Sequence, residues 1–267
     1  MKSRILCLCT CVSVLLAAPP AAIADDEEVI PYDEAEVFFE LNNTDGDLGI
    51  HALIDGDAWK RLRIKDADEK RILDIKVRGR LRRQGLTEIF FESAEPTFDE
   101  LTPESFFSRF PEGTYEISGK TLEGEKLASE TEVTHVMPAP PDPTVNGNAV
   151  EVICDDEDPD YDPAEVSGPV VIAWDPVTSS HPTLVSPPNV VAVSIVNYEV
   201  VVESELKIDG EEFVSILSVI LPPDVTEMTI PAEFLAGNDT FKYEVLAREE
   251  SWNQTAIESC FVLEGDD

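Results

Sequence analysis

Phe241-Lys242-Tyr243-Glu244-Val245-Leu246-Ala247 sets Phe241, Tyr243, Val245 and Ala247 at every second position, with Lys242 and Glu244 between them. A period of two places those four side chains on one face of an extended chain, so the stretch reads as a half-buried β-strand. Working outward from it, similar runs occupy residues 149–153, 170–174, 190–202, 213–221 and 256–263. Nearer the start they occupy 37–39, 48–54, 59–64, 72–81, 86–92, 114–121 and 127–136. Gly, Asp, Asn and Pro separate them, which is the punctuation of strands joined by turns. The expected class is all-β.

One interruption is helical. Thr102-Pro103-Glu104-Ser105-Phe106-Phe107-Ser108-Arg109-Phe110 offers a Thr cap, a Pro in the first turn and three Phe on one face. It is expected to be the one short helix of the N-terminal domain, plugging an end of its sandwich. Met137-Pro138-Ala139-Pro140-Pro141-Asp142-Pro143 cannot pair as a strand and favours an extended, semi-rigid form. The expected order is a signal peptide at 1–24, an acidic lead-in at 25–36, an N-terminal β-sandwich at 37–137, a Pro-rich linker at 138–144 and a second sandwich at 145–265.

The second sandwich resembles a fibronectin type III domain over roughly residues 139–265. The resemblance rests on Val171-Ile172-Ala173-Trp174-Asp175-Pro176-Val177, Ile195-Val196-Asn197-Tyr198-Glu199-Val200, Thr229-Ile230-Pro231 with Leu235, and the strand quoted above. It implies that Trp174 is the core tryptophan of the second strand and Tyr198 the aromatic of the third. Leu235 and the aromatic six residues later stand where such domains usually carry a tyrosine corner. Phe241 occupies that position, so the corner hydroxyl is missing, and Tyr243 on the same face is its possible substitute. The residues 155–162 form an insertion relative to the family pattern. The N-terminal half resembles no particular family.

Residues 1–24 run from Lys2 and Arg4 through an apolar stretch to Ala22-Ile23-Ala24, the order of a cleavable secretory signal. That stretch is too short to span a bilayer. A lipid-anchored cysteine among Cys7, Cys9 and Cys11 is the lesser alternative, because none follows a small residue. The whole chain carries a formal charge of −36, and loss of Lys2 and Arg4 makes it −38. Such an excess opposes binding to nucleic acid or anionic membranes. Beyond the signal only Cys154 and Cys260 remain, and in an oxidising compartment they are expected to form one disulfide, two buried free thiols being the alternative.

Charge is unevenly distributed. Residues 60–83 hold eleven Lys and Arg against four Asp and Glu, a local +7. Alternation from Ile75 predicts a strand whose solvent face carries Lys76, Arg78, Arg80 and Arg82, beside a second row of Arg61, Arg63 and Lys65. Like charges facing each other across a hairpin repel. They either await an acidic polysaccharide, lipopolysaccharide phosphates or an acidic protein, or they are neutralised internally by Glu88, Glu92 and the acidic C-terminal domain.

The acidic runs raise the possibility of calcium, the only cofactor the sequence brings forward. Asp156, Asp158, Asp160 and Asp162 lie in the densest run, and Asp45 and Asp47 in Asn43-Thr44-Asp45-Gly46-Asp47-Leu48-Gly49. Neither has EF-hand spacing, so a solvated loop and a turn compete with the metal reading. Trp252 and Asn253 sit in the loop before the last strand, where domains of this resemblance often bind. Asn42, Asn238 and Asn253 begin Asn-x-Thr triplets. His51, His135 and His181 are far apart in sequence, and no nucleophile elbow or phosphate loop is present. The reading is a non-catalytic exported protein that binds or spaces, meeting a protein or glycan partner outside the cytoplasm. The alternatives are a carbohydrate-active enzyme with a catalytic N-terminal sandwich, and a calcium-stabilised surface or matrix component.

Overall fold

The computed structural model describes residues 29–149, 153–154, 158–184, 189–208 and 211–264. The expected signal peptide, the strand at 149–153 for the most part, and Asp156 lie outside these residues. The described chain is all-β with three short helices. No helix among the described residues is long and apolar enough to cross a membrane.

The N-terminal half is organised by one strand. β3 (Asp47–Lys65) pairs over its first part with β2 (Glu34–Asn42) and β5 (Leu86–Glu92), and over its second with β4 (Arg71–Lys76) and β6 (Gly113–Thr121). β6 continues through β7 (Lys126–Val133) to β1 (Val29–Ile30), which runs parallel to β7. β3 therefore belongs to two layers. Leu48, Ile50, Ala52 and Ile54 from its first part meet Leu62 and Ile64 from its second, with Phe39, Tyr115, Ile117 and Leu127 filling the space between. Full burial of side chains of this size contributes about 1.5–3 kcal/mol each.

The runs at 48–54 and 59–64 were expected as separate strands around Asp55-Gly56-Asp57. They are one, with a register shift between Asp55 and Trp59 in place of a turn. Gly56 serves packing there: a Cβ would lie 3.1 Å from the Tyr32 ring and 3.4 Å from its Cα. Tyr32 is buried, and β1 and the start of β2 pair within the sheet, so the end of the expected lead-in is structured. The expected helix is α2 (Pro103–Phe107), where Thr102 Oγ1 accepts the Ser105 N–H and Phe106 and Phe107 pack edge-on against Phe39. It is not alone in its half: the strand expected over 72–81 ends at Lys76, and α1 (Leu81–Gln84) follows.

In the C-terminal half, β8 (Thr144–Val145), β10 (Val171–Ala173) and β13 (Glu227–Thr229) form a three-stranded layer in the order β13-β10-β8. It faces β12 (Glu211–Leu221), β11 (Ile195–Ile208), β14 (Thr240–Glu249) and β15 (Gln254–Leu263), with β9 (Ala164–Val166) added parallel to β15. Three strands against four is the architecture of immunoglobulin and fibronectin sandwiches. Trp174 packs on Tyr198 with ring centroids 5.3 Å apart, and the Tyr198 hydroxyl accepts the Val177 N–H. Leu235, at the end of α3 (Ala232–Leu235), shares the core with Phe241 and Tyr243, and Phe241 stacks on Phe261.

The two halves share a sheet. β15 runs parallel to β2, pairing Gln254 with Glu40, Thr255 with Leu41 and Ala256 with Asn42. The Pro-rich segment does not stand free beside this seam: Ala139 donates its N–H to Ser179 O, and the Pro138 carbonyl accepts the Thr255 hydroxyl. A prolyl run lacks N–H donors, yet its carbonyls remain available, and here they are used.

Candidate binding surface

The basic hairpin is largely neutralised from within. β3 and β4 place Arg63 opposite Asp74, with Arg61 opposite Lys76 and Lys65 opposite Arg71. The Asp74 carboxylate takes Arg61 at 2.9 Å, Arg71 at 3.2 Å and Arg63 at 3.3 Å. The hydrogen bond from Arg61, joined by the charges of Arg61, Arg63 and Arg71, holds this carboxyl below its ordinary range. Lys65 pairs with Glu116 at 3.1 Å. The counter-ions are thus hairpin neighbours and not Glu88 and Glu92, which stand opposite Asp55 and His51 elsewhere on β3.

Arg78, Arg80 and Arg82 do not continue a strand face. β4 ends at Lys76, Val77 turns inward and donates to Lys60 O, and Gly79 takes φ +65°. That left-handed conformation suits glycine and stops the ladder. Arg80 precedes α1 at its N-cap position without a side-chain capping bond, and the turn closes at Gly85, whose N–H reaches Leu81 O. The result is an exposed knuckle bearing Arg78, Arg80, Arg82 and Arg83, with Leu81 54 % exposed among them. Among the described residues none of these four guanidiniums, nor Lys76, has an ion pair. The sequence-predicted face is therefore two surfaces, one neutralised and one open.

The other predicted sites divide similarly. Asn42 Oδ1 accepts the N–H groups of Thr44 and Asp45, and Gly46 takes φ +67°, so Asp45 and Asp47 belong to a tight turn joining β2 to β3. Burial, with Glu95, Asp45 and Glu258 adding to it, pushes the Asp47 carboxyl up to about 6. Asp158 Oδ1 accepts the Asp160 N–H in a local turn. Among the described residues, neither Asp45 with Asp47 nor Asp158, Asp160 and Asp162 forms a converging set of three ligand atoms. Cys154 and Cys260 are joined as a disulfide with Cα atoms 5.7 Å apart.

Asn253 is not a surface ligand. Its side chain, 1 % exposed, accepts the Phe39 N–H at 2.8 Å and donates to the carbonyls of Thr134 and Val136, each at 2.9 Å. It is spent on the seam, and its amide nitrogen is unavailable to a glycan in the folded chain. Trp252 beside it is half-buried at φ +74°, its N–H given to Glu249 O.

Sequence reasoning passed over a cleft of about 350 Å³ above the seam, lined by Thr44, Asp45, Glu203, Lys242, Glu244 and Glu258. Glu244 and Glu258 are directly opposite on β14 and β15. Burial first, then the charges of Glu40 and Glu258, pushes the Glu244 carboxyl up to about 8. A carboxyl that keeps its proton near neutrality can donate a hydrogen bond as well as accept one.

No protein-family model matches the sequence, and no curated protein matches it. Among solved structures, similarity is found to the fibronectin(III)-like modules of Clostridium thermocellum CbhA, at 10 % identity over 88 % of this chain and 97 % of that one, with a TM-score of 0.25. The human OSCAR ligand-binding domain is 11 % identical over 86 % and 98 %, TM-score 0.25, and a biofilm associated protein BSP domain 13 % identical over 88 % and 30 %, TM-score 0.24. At these values the fold assignment rests on the strand order of the chain itself.

Proposed function

We propose that this is an exported, non-catalytic binding protein with a fibronectin type III-like C-terminal sandwich, and that it holds an acidic polysaccharide through Arg78, Arg80, Arg82 and Arg83. The observation that carries the reading is the exposed knuckle of guanidiniums beside Leu81, which have no ion pair among the described residues, in a chain otherwise dominated by carboxylates. Guanidinium groups without internal partners are free to make bidentate contacts with carboxylate or sulfate groups. The surrounding negative charge repels polyanions elsewhere on the surface and so directs them to this spot. Export is supported by the residue order of 1–24 and by the disulfide, which belongs to oxidising compartments. The shared β2–β15 sheet supports a spacer role, in which the two halves present the knuckle as one piece.

Retention on immobilised heparin at low and high salt tests the proposal. Binding should weaken steeply with salt and be lost on charge reversal of Arg78, Arg80 and Arg82, whereas reversal of the internally paired Arg63 should reduce it far less. Unchanged retention of the triple variant, or no retention by the parent protein, sinks it.

A further inference from the structure

We infer that Glu40, His51 and Glu95 form a site for a divalent transition metal of the zinc or manganese class, set against the seam between the two halves. One nitrogen of His51 and one oxygen from each carboxylate lie within 4.8 Å of one another. His51 Nε2 is 2.7 Å from Glu95 Oε1, and Nδ1 is 3.6 Å from Glu40 Oε2. The imidazole is 1 % exposed, held between the rings of Phe38 and Phe90. A ring so enclosed has little rotational freedom, as a metal ligand requires.

The backbone makes room for this convergence. Glu40 on β2 stands opposite Gly49 on β3, and Phe38 opposite His51, so Glu40 and His51 are diagonal neighbours on the same face. Glu95 comes from the segment after β5 and lies across the empty position at Gly49: a Cβ there would overlap its Oε1 and lie 2.8 Å from its Cγ. Any side chain at 49 would push the Glu95 carboxylate off the imidazole. Gly49 is ordinary extended backbone with no positive φ, so the turn chemistry that accounts for Gly46 does not account for it.

Charge points the same way. Two carboxylates meet one imidazole, with Glu92 paired opposite His51 and Asp47 close to Glu95. A divalent ion would bring two positive charges to the two carboxylates. One imidazole nitrogen with two carboxylate oxygens suits zinc or manganese, and calcium takes oxygen ligands alone. The Glu95 side chain is 31 % exposed, which leaves an entry path and space for water in a fourth position. Gln254, on β15, donates its amide to Glu40, and Arg248 in turn holds Gln254 at 2.7 Å. These outer partners belong to the C-terminal half, so an ion on β2 and β3 would feel the state of the seam.

The test uses the full chain after chelator treatment, titrated with zinc by calorimetry and with cobalt by visible absorption. The expected result is a saturable site whose cobalt spectrum shows low-symmetry d–d bands, with a raised thermal midpoint. His51→Gln should abolish both signals, and Glu95→Gln and Gly49→Ala should weaken binding at least about tenfold. Glu95→Gln alters a partly exposed residue and keeps the test open should a His51 variant fold poorly. Glu92→Gln should keep the site. Absence of cobalt bands in the parent chain, or equal zinc binding by parent and Glu95→Gln, overturns the inference and leaves a histidine–carboxylate ion pair or unspecific surface carboxylates.

Discussion

Asn253 Oδ1 accepts the Phe39 N–H at 2.8 Å, joining residues 214 positions apart, while its Nδ2 donates to the Thr134 and Val136 carbonyls. One amide thus supplies groups from β2 and from the chain leaving β7. Asn253→Ala leaves a buried donor and two acceptors without this partner, so a loss of roughly 2–3 kcal/mol is expected in urea unfolding. A loss below the scatter between repeat measurements would show that the seam does not depend on this residue.

Asp74 serves three arginines at once. Asp74→Asn should lower the thermal midpoint at low ionic strength, with a gap to the parent that closes as salt is added, because the group is exposed and screened. Its folded-state pKa lies below the unfolded value. The contribution is therefore present above the usual carboxylate range and is lost as pH falls through the folded pKa. In Asp74→Asn that part of the acid limb should vanish.

Glu244 has the opposite sign. With its carboxyl raised to about 8, the folded protein binds a proton that the unfolded chain releases at ordinary carboxylate pH. Stability should decline as pH rises from the ordinary carboxylate range toward 8, and Glu244→Gln should flatten that slope. Parallel stability–pH curves for the two proteins would contradict this account.

The Cys154–Cys260 bridge closes a loop with a sequence separation of 106. Chain-entropy arguments give on the order of 4 kcal/mol for a loop of this length. Reduction under native conditions should lower the urea midpoint, and the double Ser variant should match the reduced parent.

What could be read from the sequence was local. The two-residue period of Phe241 to Ala247 and the cap and prolyl start of α2 depend on near neighbours, and both stand in the structure. Trp174 and Tyr198 meet in the core as the family resemblance implies. Local rules also misled. Asp55-Gly56-Asp57 has the composition of a turn, but Gly56 is there for the approach of Tyr32. Arg78, Arg80 and Arg82 alternate as a strand face would, yet Gly79 folds them into a knuckle. Asn253 looked like loop chemistry because its partners lie over 100 residues away. Glu95 reaching His51 across Gly49 leaves no mark on periodicity, since it depends on a missing side chain in another strand.

The parallel pairing of β2 with β15 also orders events in time. Glu40 must wait for Gln254, so this ladder closes one of the longest loops in the chain and is expected late in folding. Until then β2 presents a bare edge that a β15 from any copy satisfies equally well. At high protein concentration the same topology therefore favours exchange of C-terminal halves between molecules, and a domain-swapped dimer is its natural side product on refolding.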